Sequence, residues 1–256
     1  MPAQLDLSKL SVRQFAERFR ADMIPLSNTF SYFCASLPMS EDDLKEYLQE
    51  PVAALPPAIS AILPKISILL VPYLERDGGR NGSKTPGGAG DYVSIEKPPE
   101  ERLSTSTQLK LGEETVLAFA LKDQEVAEYH YRFYHLLATL LGEQWDEETE
   151  TRYGRVLREE LNSDVHGEVD EPSWRLKQTL RRGRSAASLR AFRTYSRQSF
   201  IDTLTLYLHG ICCDIDVDTG PRQLPSRYLR KRLLALEEMF PPPTGYAVFP
   251  EQLEQG

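Results

Sequence analysis

Residues able to bind a metal or move a proton are few in this chain, and their spacing says more than their number. The histidines are His130, His135, His166 and His209. Glu125, Glu128, Arg132 and His135 recur at helical spacing, so Glu128 and His135 share a polar face where a carboxylate can meet an imidazole. Asp164, His166, Glu168 and Asp170 alternate acids around a second histidine, a pattern that could hold a metal or form a solvated turn. No histidine has a glutamate three positions before it, which removes the di-iron bundle signature, and neither HExxH nor CxxC occurs. Glu128, His135, Asp164 and His166 are therefore the candidate metal ligands, none of them favoured, and no cofactor is expected. Cys212 and Cys213 are the candidate nucleophiles. They follow an apolar helix, so burial is expected, and reactivity would require a lowered thiol pKa.

Two motifs look like ligand loops and fail on detail. Gly78-Gly79-Arg80-Asn81-Gly82-Ser83-Lys84-Thr85 resembles a phosphate loop, which needs glycine directly before the lysine and a helix directly after it. Ser83 occupies the glycine position, and Pro86-Gly87-Gly88 cannot open a helix. Residues 76–90 hold six glycines and almost nothing apolar, so a flexible loop is expected there. Asp214, Asp216 and Asp218 alternate as in calcium loops, but Thr219 stands where such a loop needs glycine and Pro225 where it needs a carboxylate.

Charge is strongly segregated. Residues 143–171 carry eleven acids against three arginines, and residues 174–197 carry eight basic residues and no acid. Pairing of the two arms is the expected resolution, with residues 146–150 near 182–184. Arg190, Arg193 and Arg197 fall on one helical stripe, and Phe192 and Tyr195 interleave them as a nucleic-acid face would. Arg222, Arg227, Arg230 and Lys231 crowd the start of the last helix, the reverse of what its dipole favours. An anion must offset them. It is either internal, supplied by Asp214, Asp216 or Asp218, or external, a phosphate or nucleic-acid backbone. These four are the candidate anion-binding residues.

The elements that must position these groups read mainly as helices. Ser11 with Gln14, and Ser40 with Asp43, mark two helix starts. Further helical patterns are expected from Asp123 to about Leu141, from Asp146 to Leu161, from Asp170 to His209 with a break near Gly183, and from Ser226 to Phe240. Residues 66–73, 91–97 and 116–121 read as a small antiparallel β element, a long hairpin plus one strand. The expected fold is thus mainly α with a small antiparallel β element, α+β in class, with a helical core and long C-terminal helices. It is expected to be one domain over residues 1–256.

A net charge of −8 and a pI near 5.2 argue against a general nucleic-acid binder. Three cysteines, two of them adjacent, suit a reducing compartment, and the first ten residues lack a secretion-signal pattern, so a cytoplasmic location is expected. The apolar stretch 52–74 is interrupted by four prolines and reads as core rather than as a membrane span. The leading expectation is a non-enzymatic interaction or scaffold protein with a protein partner or a second copy of the chain. A phosphate or nucleic-acid binder using the C-terminal arginines is the alternative, and a metal enzyme built on a carboxylate–histidine grouping comes third.

Overall fold

The computed structural model describes residues 10–35, 37–76, 91–182, 187–213 and 222–253. The glycine-rich loop at 77–90 and the Asp214, Asp216 and Asp218 run lie outside the described residues. The chain gathers into two compact units, residues 1–49 with 63–132 and residues 50–62 with 133–256, a finer division than the single domain expected over 1–256.

The first unit is built on a five-stranded mixed sheet, in order β1 (Ile24–Pro25), β2 (Phe30–Cys34), β3 (Ile66–Val71), β8 (Glu114–Ala120) and β7 (Ser106–Leu111). β2, β3 and β8 run parallel, which corrects the expectation of a small, purely antiparallel element. The reason is visible in β3. All six residues of Ile-Ser-Ile-Leu-Leu-Val are buried, the Ser67 hydroxyl hydrogen-bonding to Glu114, and a mostly apolar run covered on both faces is what a central parallel strand requires. Pro72 ends β3 because it has no N–H to donate to a ladder, and the chain passes into a second sheet. There β4 (Tyr73–Glu75) pairs antiparallel with β5 (Tyr92–Ser94) and with β6 (Leu103–Ser104). The expected long hairpin is therefore split between two sheets at one proline. Gly112, at φ +66°, turns β7 back onto β8 in a hairpin that the sequence pattern did not reveal.

Helix α1 (Val12–Arg18) lays Val12, Phe15 and Ala16 onto the sheet face formed by Leu69, Val71, Val116 and Ala118. Its capping box is present, with the Ser11 hydroxyl accepting from the Gln14 N–H and the Gln14 side chain accepting from the Ser11 N–H. The same device opens α2 (Glu41–Leu44) at Ser40 and Asp43. Asp123, the expected start of a helix, lies three residues before that helix begins at Val126, at φ +60°, and accepts hydrogen bonds from Lys97 and Tyr73.

The second unit is helical, and α+β is accordingly the class of the chain. Short helices α3 (Glu50–Ala53) and α4 (Pro57–Ile62) belong to it, as does the second part of α5 (Val126–Glu143). Asp146 caps α6 (Glu147–Asn162) by accepting from the Thr149 N–H at 2.7 Å. α7 (Glu171–Arg182) and α8 (Ala187–Cys212) follow. The Asp202 carboxylate on α8 receives the Ser173 N–H in the first turn of α7, fixing the start of one helix to the side of the other. α8 runs through Gly210, the expected stop, to Cys212; at 26 residues it is about 39 Å long. α9 (Ser226–Met239) and α10 (Pro250–Leu253) complete the unit. Tyr153, Leu157, Tyr195, Leu204, Leu208 and Leu236 are buried in its core. Among the described residues, no helix is long and apolar enough to cross a membrane.

Candidate functional site

On α9 the apolar stripe reads Leu229, Leu233 and Leu236, and Arg232 sits on that stripe. Glu160 takes the corresponding place on α6, after Tyr153, Val156 and Leu157. Folding therefore drives both charges inward, and both side chains are fully buried. Arg232 donates to both Glu160 oxygens, at 2.6–3.2 Å, to both Glu168 oxygens, at 2.7 and 2.9 Å, and to the Ser199 hydroxyl at 2.7 Å. Lys177 of α7, also fully buried, reaches Glu168 at 3.0 Å and the Gly167 carbonyl at 2.8 Å. The Tyr195 hydroxyl donates to Glu168 as well. Two cations and two carboxylates balance. Burial alone would push the Glu168 carboxyl up, but Arg232, Lys177 and Tyr195 together hold it at about 2. Burial pulls the Lys177 ammonium down, with Glu168 opposing. The set spends its charges on itself, with each of the four charged side chains at most 1% exposed. It clamps α6, α7, α8 and α9 together.

The charge reversal is thus resolved partly inside the unit. The expected pairing of the two arms appears as Arg175 with Glu171, Lys177 with Glu168, Arg181 with Asp164 and Arg193 with Glu150, rather than between residues 146–150 and Arg182. Arg184 lies outside the described residues.

What stays unresolved is the remainder of the stripe. Arg190, Arg193 and Arg197 line a concave surface site of about 730 Å³ together with Thr139, Gly142, Glu143, Trp145, Thr194, Gln198 and Ile201. Among the described residues, no carboxylate pairs with Arg190 or Arg197, and both side chains are exposed. Trp145 also lines this region, with its Nε1 itself buried and without a hydrogen-bond acceptor. The neutral polar groups are already engaged. Thr194 donates to the Arg190 carbonyl, Thr139 to the His135 carbonyl, and Gln198 to Asp202. A separate groove of about 710 Å³ in the first unit contrasts with it. Its cations are satisfied locally, Arg20 by Glu114 at 3.3 Å and Lys65 by the Asn28 carbonyl.

The four C-terminal candidates do not gather into one cavity among the described residues. Arg222 lies over the Trp174 ring at 4.9 Å and Arg227 over Tyr228 at 4.6 Å. Arg230 pairs with Glu251 at 2.6 Å and covers Phe249, while Lys231 pairs with Glu159. Glu128 pairs with Arg132 at 2.7 Å, in the first unit, and His135 lies in the second, 3.5 Å from the Thr205 hydroxyl. Asp164 and His166 do come together, at 3.7 Å, but Arg181 pairs with Asp164 and approaches the His166 Nδ1 at 3.3 Å. A guanidinium between them takes the place a cation would need.

Cys212 and Cys213, expected to be buried, are both half-buried. Hydrogen bonds from Cys213 and Tyr134 lower the Cys212 thiol to about 7 against the opposing effect of burial. Phe192 and Tyr195, read as a nucleic-acid face, serve other ends. Arg158 covers the Phe192 ring at 4.5 Å, and Tyr195 is buried on Glu168.

Compared with protein-family models, curated proteins and solved structures, the chain matches none.

Proposed function

We propose that the chain is a non-enzymatic binding protein that takes an anionic ligand on the Arg190–Arg197 face of α8. The observation that carries this reading is that Arg190 and Arg197 line a concave site and lack any carboxylate partner among the described residues. Three like charges on one stripe repel each other, and among the described residues only Arg193 is relieved, by Glu150. An anion supplied from solution removes that repulsion and forms charge-assisted hydrogen bonds with rigid, planar donors. The C-terminal group of Arg222, Arg227, Arg230 and Lys231 is the second place such a ligand would bind. It is less suited because Arg230 and Lys231 already hold acids.

Retention on heparin as a function of salt tests the reading. The parent chain, despite a net charge of −8, is expected to be retained and released steeply by salt. Arg190→Ala/Arg197→Ala should elute earlier and lower the slope of log K against log salt by about 2, one unit for each arginine that no longer neutralises an anionic group. An unchanged elution position and slope would sink the reading, and weaker retention seen only with Arg227→Ala/Arg230→Ala would move the site to α9.

A further inference from the structure

Resting on that reading, we infer that the ligand of the α8 site is a small molecule carrying several clustered phosphates, and not a nucleic acid. Three features of the site select this chemistry. The first concerns donors. Thr139 and Thr194 spend their hydroxyl protons within the protein and Gln198 spends one amide N–H on Asp202, so the charged donors lining the site are the guanidinium groups. A mainly cationic donor set favours charged oxygens over neutral acceptors.

The second feature is the missing stacking surface. Single-stranded nucleic acids are held by bases lying on aromatic faces interleaved with positive charge. Each aromatic along the stripe is occupied. Phe192 lies under Arg158, and Tyr195 is buried. Trp145 packs edge-on against Phe200 at 4.9 Å and against Tyr153 at 6.5 Å. A bound strand would contribute its phosphates alone.

The third feature is dimension. Arg190 and Arg197 are seven residues apart, about 10 Å along the helix axis, and Arg193 lies between them, held in position by Glu150. A chain or ring of phosphates matches three guanidinium groups spread over two helical turns, each taking oxygens bidentately. A volume of about 730 Å³ is in the range of small-molecule sites.

The test is calorimetric titration of the full chain at physiological salt with four probes: sodium tripolyphosphate, inorganic phosphate, a twelve-residue oligothymidylate, and vesicles containing phosphatidylinositol bisphosphate. Trp145 emission gives a nearby readout, since its side chain lines the same site. Tripolyphosphate is expected to bind at least about tenfold more tightly than phosphate and than the oligonucleotide. Arg190→Ala and Arg197→Ala are each expected to weaken it by about tenfold, with circular dichroism unchanged because both side chains are exposed. Arg230→Ala should leave it unaltered. If the oligonucleotide binds more tightly than tripolyphosphate and loses affinity on Arg190→Ala, the ligand class is wrong while the anion-binding reading stands. Vesicle binding without tripolyphosphate binding overturns the small-molecule assignment in favour of a membrane headgroup. If no probe binds, or binding ignores both arginine substitutions, the inference and the underlying reading fall together.

Discussion

Replacing Arg232 by methionine should be among the most damaging single changes to the helical unit. The substitution keeps much of the side-chain volume and removes the charge. Arg232 makes six hydrogen bonds, five of them to carboxylate oxygens and one to the Ser199 hydroxyl. Without it, Glu168 keeps Lys177 and Tyr195, so its charge remains compensated. Glu160 does not fare as well. The groups that hold its carboxylate are all on Arg232, and it is only 1% exposed. An uncompensated carboxylate in that position costs about 3–5 kcal/mol, a large part of the roughly 5–15 kcal/mol that holds a domain folded. Both tryptophans, Trp145 and Trp174, belong to this unit, so urea unfolding followed by tryptophan fluorescence reports on it specifically. Adding Glu160→Leu should return about half of the loss or more, because the orphaned charge is then gone and an apolar side chain fills the space. A loss under about 1 kcal/mol, or no recovery with Glu160→Leu, would refute the account of the network as two mutually dependent ion pairs.

Three further outcomes follow from local geometry. Glu168 has a folded pKa of about 2 against 4.5 for the free side chain, so its contribution to stability is complete above pH 4.5 and is lost as pH falls toward 2; the urea midpoint of the parent should fall more steeply over that interval than that of Glu168→Gln. Gly167 adopts φ +82°, and a Cβ there would stand 2.1 Å from the Gln223 carbonyl oxygen; Gly167→Ala should cost at least about 2 kcal/mol in the same assay, and a neutral effect would mean that the 166–168 turn is free to move. Cys212, lowered to about 7 by Cys213 and Tyr134, should be alkylated by iodoacetamide at pH 7 at least about tenfold faster than Cys34, which burial pushes up to about 11; peptide mass spectrometry gives the ratio, and equal rates would show that access rather than thiolate fraction governs both.

Local rules in the sequence determined most of the helices. Ser11 with Gln14, Ser40 with Asp43, and Asp146 act as caps because a side chain three residues from a free N–H can reach it whatever the rest of the chain does. The apolar run 66–71 marked a buried strand for the same reason, that six consecutive buried residues need cover on both faces. Its partners were not legible. Whether Ile66 faces a hairpin or a parallel neighbour depends on where residues 30–34 and 114–120 are brought, and Pro72 hands the next strand to a different sheet. The Arg190, Arg193 and Arg197 stripe was legible from spacing alone, but tertiary packing decided that Glu150 pairs with Arg193, and with neither Arg190 nor Arg197. The buried ion network did leave a signal in the sequence: Glu160 and Arg232 each occupy an apolar-stripe position on their helices. Periodicity fixes which way a side chain points, and so it fixed that these charges go inward. Only the folded unit decided that they meet each other, with Glu168 and Lys177, because ion pairing depends on three-dimensional proximity that no one-dimensional pattern encodes.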